Sequence, residues 1–272
     1  MNFSVLMAVH RSDNPAFLRQ ALDSLARQSM PAAEVVIVCD GPLTHELEAV
    51  LTTTSASLPQ KMVYLPTSRG LGAALRIGLK VCSHDIVARM DADDICEPQR
   101  LEVQLREIES RILDVVGTFA TEIDEAGSSL QLRRVPLVQR EIYRRVWACP
   151  FIHPSVMFRK PAILAVGSYD SYLRTRQDYD LWYRCVGSGL RMANIPLPLI
   201  QYRVASQPKN RSLRVVAAQV RIGLCNCWRF RLPVKQYLFV FAPVVLLLFP
   251  RTFAVRLRQL FWNHSGAQAN GA

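Results

Sequence analysis

Val87-Ala-Arg-Met-Asp91-Ala-Asp93-Asp94-Ile95 packs three carboxylates into four residues, directly behind an apolar run. Asp85 to Met90 reads as a short strand, and Glu97, Pro98 and a helical pattern follow. The acids therefore end a strand, where open α/β sheets bind their ligands. Like charges this close repel unless a cation or hydrogen-bond donors offset them. Oxygen donors alone call for a hard divalent ion, Mn²⁺ or Mg²⁺, which leaves part of its shell to substrate phosphates. Asp91 and Asp93 are the candidate metal ligands. Asp94 fits two roles: a third acid of the cluster, or the N-cap of the next helix with Glu97 answering it in a capping box.

Upstream, three more strands lead to this one. Phe3 to Val9 and Glu34 to Cys39 are apolar runs of the kind that form buried parallel strands, and Lys61 to Leu65 is a third strand. Between them, Phe17, Leu18, Ala21, Leu22 and Leu25 recur at helical spacing, and Glu46 to Leu51 continues the alternation. Ser68-Arg69-Gly70-Leu-Gly72 is a glycine turn opening a helix over 73–81. The order βαβαβαβ predicts a doubly wound, mostly parallel sheet. No Gly-x-Gly-x-x-Gly follows the first strand and no phosphate-binding P-loop occurs, which argues against NAD binding and P-loop ATP hydrolysis. Asp40 ends the second strand, so it should share a sheet edge with Asp91 and Asp93. There it either closes a simple Asp-Gly-Pro turn or accepts hydrogen bonds from a ribose or base. In the second case the three acids outline a nucleotide-diphosphate pocket.

Downstream, Leu101, Leu105, Ile108 and Ile112 form one stripe of a helix that starts near Pro98. Asp114 to Ala120 is a fifth strand, Glu122 to Gly127 a hairpin turn, Glu141 to Trp147 a short helix and Pro150 to Arg159 a strand entered through a polar bend at His153. Asp178 and Asp180 fall in the first turn of a helix. That suits the helix dipole, and it is also a good position for a general base facing a pocket.

Charge divides the chain unevenly. The net charge is +11, but all 22 acids lie at or before Asp180. Residues 1–180 hold 20 Lys and Arg, whereas residues 181–272 hold 13 and no acid. Such a face suits an anionic partner. Nucleic acid is not the expected one, because zinc-finger spacing is absent and the cations alternate with aliphatic runs. Residues 206–235 read as a basic amphipathic helix. Gln236 to Pro250 is uncharged but is broken by Pro243 and falls short of the about 20 residues a spanning helix needs. Basic flanks, aromatics and a short apolar centre suit a segment lying in a membrane interface; the other readings are a pair of helices packed on the rest of the chain, or a dimer face. Residues 265–272 are expected to be disordered.

Six motifs, in order, carry a family resemblance: Ser4-Val-Leu-Met-Ala-Val-His10, the strand end at Asp40-Gly-Pro, Arg69-Gly-Leu-Gly-Ala-Ala-Leu, Met90-Asp91-Ala-Asp93-Asp94, His153-Pro-Ser-Val-Met-Phe-Arg159 and Gln177-Asp178-Tyr-Asp-Leu-Trp182. Over residues 3–205 the chain resembles the inverting glycosyltransferases of family 2, most of all bacterial enzymes that build O-antigen, capsule or exopolysaccharide. The resemblance implies a GT-A-like α/β fold, a doubly wound mixed and mostly parallel sheet, and a catalytic domain over 1–205, divided into a nucleotide-sugar-binding half (1–100) and an acceptor/catalytic half (101–205). The charge and hydropathy pattern adds a C-terminal basic and apolar helical membrane-associating segment, with interface helices over 206–264. Asp40 would bind the base or ribose, and Arg69, Asp91, His153 and Arg203 would lie along the nucleotide sugar. Asp91 and Asp93 would be the metal-binding DxD motif, with Mn²⁺ or Mg²⁺ as cofactor, and Asp178 the catalytic base.

The implied donor is a nucleotide sugar, with uridine as base and galactose as one sugar to consider. The implied acceptor is a saccharide on undecaprenyl diphosphate, at the anionic cytoplasmic face of the bacterial inner membrane. Three positions depart from the pattern: Gln177 stands where Glu is usual, Ser68 where Asn is common, and Ala205 in place of a His after Tyr202-Arg203. Gln177 and Ala205 leave room for a non-catalytic protein of the same fold. A nucleotidyltransferase would need a glycine-rich loop after the first strand, and His10-Arg-Ser-Asp-Asn-Pro15 has no glycine.

Overall fold

The computed structural model describes residues 1–54, 56–204 and 213–245. Its first half is the expected alternation: β1 (Ser4–Val9), α1 (Pro15–Ala26), β2 (Glu34–Cys39), α2 (His45–Thr54), β3 (Gln60–Tyr64), α3 (Leu71–Val81) and β4 (Ile86–Met90). The start of α1 is encoded locally. The Asn14 side chain accepts a hydrogen bond from the Ala16 N–H at 2.8 Å, and Pro15 occupies the first turn.

After β4 come β5 (Ile95–Cys96), α4 (Arg100–Ser110), β6 (Val115–Ile123), β7 (Ser129–Arg133), α5 (Gln139–Arg144), β8 (Met157–Arg159), α6 (Lys160–Ala165), α7 (Gln177–Gly187) and β9 (Met192–Arg203). Short 3₁₀ turns cover Val146–Ala148 and His153–Ser155. The nine strands form one sheet in the order β3-β2-β1-β4-β8-β6-β9-β5, with β7 hydrogen-bonded to β6. Strands β1 to β4 are mutually parallel, as are β6 and β9, whereas β8 runs antiparallel to both its neighbours. The result is a mixed, mostly parallel α/β sheet with helices on both faces.

Successive strand residues serve opposite faces. Val5, Met7, Val35 and Ile37 pack in one core with Leu18, Leu22, Leu47, Leu101 and Leu105. Leu6, Val36 and Val38 pack in the other with Leu75, Leu79, Tyr179, Trp182 and Tyr183. The apolar runs look continuous in sequence because both faces are covered.

Several expectations change. The helix after the acids begins only at Arg100; Asp94 does not cap it, because Ile95–Cys96 forms a strand antiparallel to β9 in between. The segment 150–159 is largely a bend, and only its last three residues are a strand. β9 was hidden by Pro196 and Pro198, which fall where its register against β6 shifts. The hairpin at 122–127 forms as expected between β6 and β7.

The basic segment forms α8 (Leu213–Arg229), α9 (Val234–Val240) and α10 (Ala242–Val245). It is bolted onto the rest. Val216, Gln219, Ile222, Gly223, Asn226 and Cys227 line the buried side of α8. Asn226 donates to Asp180 of α7 at 3.0 Å, and Gln236 donates to the Tyr143 carbonyl at 3.0 Å. Trp147 stacks on Phe239 with ring centroids 5.3 Å apart. Among the described residues no helix is long and apolar enough to cross a membrane. Ala205, Arg251, Arg256, Arg258 and the tail 265–272 lie outside the described residues.

Candidate active site

The strand order 3-2-1-4 reverses between β1 and β4, and the carboxyl edge of the sheet at such a switch is where α/β sheets bind their ligands. His10 and Asp13 follow β1, Asp40 follows β2, and Asp91 to Asp94 follow β4, so the expected acids share that edge. Asp40 is buried there, and protein donors hold its carboxylate. One oxygen accepts the Arg69 N–H at 2.6 Å; the other accepts the Gly70 N–H at 2.9 Å and the Ser68 hydroxyl at 3.0 Å. The Ser68 main chain passes so close that a Cβ at Gly41, whose φ is +87°, would lie 2.8 Å from the Ser68 nitrogen. Asp40 therefore fastens the glycine turn before α3, and Arg69 reaches it through its main chain while its side chain stays exposed.

Asp91, Asp93 and Asp94 each offer one oxygen to a common point, all within 4.8 Å of one another. Asp94 is fully buried. Its Oδ1 accepts the Arg203 N–H at 2.8 Å, while Oδ2 has no hydrogen-bond partner. Burial first, then the charges of Asp91 and Asp93, push Asp94 well above the ordinary carboxylate range. Asp93 stands exposed at the rim, yet the surrounding protein and then Asp91 push it up to about 6. Clustered acids, an orphaned buried oxygen and an all-carboxylate donor set fit a hard divalent cation.

Two residues that sequence reasoning passed over support the cluster. Arg89 is buried in the second core and ion-pairs with Asp91, with its Nε and Nη1 otherwise unpartnered. Its signal was a charge inside a five-residue buried strand. Asp13 accepts the His10 N–H at 2.8 Å, and burial, with Asp91 contributing, raises it. Arg203 behaves differently from the expected diphosphate contact. Its guanidinium donates to the Asp93 carbonyl at 2.9 Å, the Asp124 carbonyl at 2.9 Å, the Glu125 carbonyl at 3.1 Å and Gln20 Oε1 at 2.7 Å, and it lies 4.0 Å from the centre of the Phe17 ring. It is a positioning residue that ties α1, the acid loop and the β6–β7 hairpin together.

The start of α7 packs beside the start of α3. Asp178 sits half-buried in the first turn of α7 and accepts a long hydrogen bond, 3.4 Å, from the Cys149 thiol. Gln177 is buried beside it, and a Cβ at Gly72 would lie 3.3 Å from the Gln177 Cβ and 2.7 Å from the Asp170 carbonyl, so α3 seats directly against the approach to α7. Tyr169 is wholly buried in the second core. Burial raises its phenol, and Arg89, Asp178 and Asp91 all act on it electrostatically. The Tyr169 hydroxyl and His153 Nε2 are 2.9 Å apart. Burial, then Arg89, holds His153 well below the ordinary histidine value, so His153 is a neutral partner of Tyr169. Tyr169, wholly buried, thus feels the charges of both Asp91 and Asp178, which are distant in sequence.

The family model for glycosyl transferase family 2 matches residues 4–167, and the chain belongs to that family. It is a glycosyltransferase. It is 36% identical to the amylovoran biosynthesis glycosyltransferase AmsE of Erwinia amylovora over 266 residues, which cover 96% of this chain and 97% of that protein. It is 34% identical over 212 residues to an Escherichia coli UDP-Gal:alpha-D-GlcNAc-diphosphoundecaprenol beta-1,3-galactosyltransferase, covering 77% of this chain and 76% of that one. Among solved structures, residues 1–349 of S. aureus TarS superpose with a TM-score of 0.69 at 18% identity, covering 89% of this chain and 72% of that one, which shows the GT-A-like fold.

Proposed function

We propose that the enzyme transfers a sugar from a uridine diphosphate donor, UDP-galactose first among those to test, to a saccharide carried on undecaprenyl diphosphate, and that it does so in building a bacterial surface polysaccharide. The name of the Escherichia coli relative supports this donor and acceptor class. The observation that carries the reading is the cluster of Asp91, Asp93 and Asp94 at the sheet edge that also holds Asp40, with the orphaned buried oxygen of Asp94 inside it.

Asp178 takes the proton of an acceptor hydroxyl, and the oxygen attacks the anomeric carbon from the face opposite the nucleoside diphosphate. The bond to the diphosphate oxygen breaks as the new glycosidic bond forms, so configuration inverts. Asp40 holds the glycine turn where a nucleoside would lie, and it keeps lone-pair capacity for a base N–H. Mn²⁺ or Mg²⁺ held by Asp91, Asp93 and Asp94 would offset the charge of the diphosphate. Neutral His153 keeps Tyr169 in place. A lipid-linked acceptor puts the work at the cytoplasmic face of the inner membrane, and the acid-free C-terminal third suits an anionic surface.

The test is Asp178→Asn. Transfer to a lipid-diphosphate acceptor analogue should fall by at least about a thousandfold, within the range that acid–base groups contribute together with lost orientation, while UDP affinity is retained. Near-normal turnover would remove Asp178 from the mechanism.

A further inference from the structure

The second core seats one side of α8 and α9 against α7, and among the described residues nothing covers the opposite side. Val234, Leu238, Phe241 and Val245 follow one another at helical spacing along α9 and α10. They are 76, 69, 44 and 50% exposed, while Gln236 and Val240 on the other side are buried. Such an apolar stripe on a solvent-facing helix marks an interaction surface. At its head, the turn between α8 and α9 forms a cavity of about 840 Å³ lined by Trp228, Arg229, Arg231, Leu232, Val234 and Tyr237. Trp228 is 78% exposed. Arg229, Arg231 and Lys235 are exposed and form no ion pair among the described residues, and no carboxylate follows Asp180 in the sequence.

We propose that this face docks on an anionic bilayer, with the stripe entering the interface and the Arg229–Arg231 turn seating phospholipid phosphates. The inference rests on the membrane location proposed above and assigns the surface that makes the contact. A second copy of the chain fits the face poorly. A two-fold contact would set Arg229, Arg231 and Lys235 of one copy against the same cations of the other, with no acid after Asp180 to answer them. An interfacial aromatic beside cations, with an apolar stripe behind, is the arrangement that lipid headgroups and acyl chains satisfy together. Because α8 is hydrogen-bonded to α7 through Asn226 and Asp180, the docked face sits on the helix that begins beside Asp178.

The experiment uses the full chain, sedimented with vesicles of phosphatidylethanolamine alone or mixed with phosphatidylglycerol. Binding should require phosphatidylglycerol. Leu238→Gln/Phe241→Gln should lower the bound-to-free ratio about tenfold or more. Arg229→Gln/Arg231→Gln should lower it about thirtyfold, taking roughly 1 kcal/mol per lost cation. Both variants should keep wild-type turnover on a water-soluble acceptor, which checks the fold. Independently, brominated lipid should quench tryptophan fluorescence, and Trp228→Phe should remove much of that quenching. If the wild type binds no vesicle, the membrane location fails and this inference with it. If the wild type binds and both variants bind equally, the location stands and this surface is overturned. If light scattering shows a wild-type dimer that Leu238→Gln/Phe241→Gln splits, the occupant is a second copy and the proposal is overturned.

Discussion

Asp93 is the residue at which charge, burial and pH meet. In the folded chain it titrates at about 6, against an ordinary value of 3.8. The folded state therefore keeps a proton that the unfolded state has released, and falling pH through about 6 favours folding at this position. Without metal, Asp93→Asn should be more stable than wild type at neutral pH, and its advantage should shrink as pH drops below about 6. Thermal unfolding across pH, with and without Mn²⁺, reads this directly: added Mn²⁺ should raise the midpoint of the wild type more than that of the variant. Parallel pH curves would remove Asp93 from the cluster. Arg203 makes the second prediction at this scale. Arg203→Met strands the carbonyls of Asp93, Asp124 and Glu125 and the Gln20 side chain. It should cost about 3 kcal/mol in denaturant unfolding, and Arg203→Lys should recover little, since an ammonium cannot reproduce the fork. The acids were legible in sequence because three carboxylates after an apolar run have few structural explanations. Asp13, Cys149 and Tyr169 were not, because each gains meaning only from a neighbour far along the chain.

At the scale of elements, the parallel half could be read from period and punctuation, since each strand there is an apolar run bounded by polar turns. The second half was harder. β8 is only three residues long, and β9 carries two prolines at its register shifts. Asp94 looked like a helix cap because Glu97 follows at capping-box spacing, but the pull of β9 on Ile95–Cys96 overrides that local preference. The contact between α8 and α9 gives a prediction of its own. A Cβ at Gly223 would meet both Val240 methyls at 2.8 Å and the Tyr179 hydroxyl at 3.0 Å. Gly223→Ala gains about 1 kcal/mol of helix propensity. Overpacking against a β-branched neighbour costs about 1–3 kcal/mol, so the variant should be less stable. Val240→Ala should relieve part of that loss, and a double-mutant cycle measures the coupling.

At the scale of the whole molecule, charge and packing draw different boundaries. Charge changes character after Asp180, in the first turn of α7. Packing runs on without a break, because α8 closes over Tyr179, Gly187 meets Phe230, and Gln236 is tied to the end of α5. A composition profile shows the first boundary readily. It cannot show the second, which rests on single pairs such as Asn226 with Asp180. This bears on how the enzyme can be shortened for preparation in water. Cutting after residue 204, beyond the last acid, would strip the cover from Tyr179 and Tyr183, whose side chains are wholly buried in the intact chain. Such a fragment should emerge aggregated from gel filtration. A chain ended after Val245 keeps that cover and should elute as a single species, leaving the α8–α9 pair as a cover on α7 that any useful trimming has to spare.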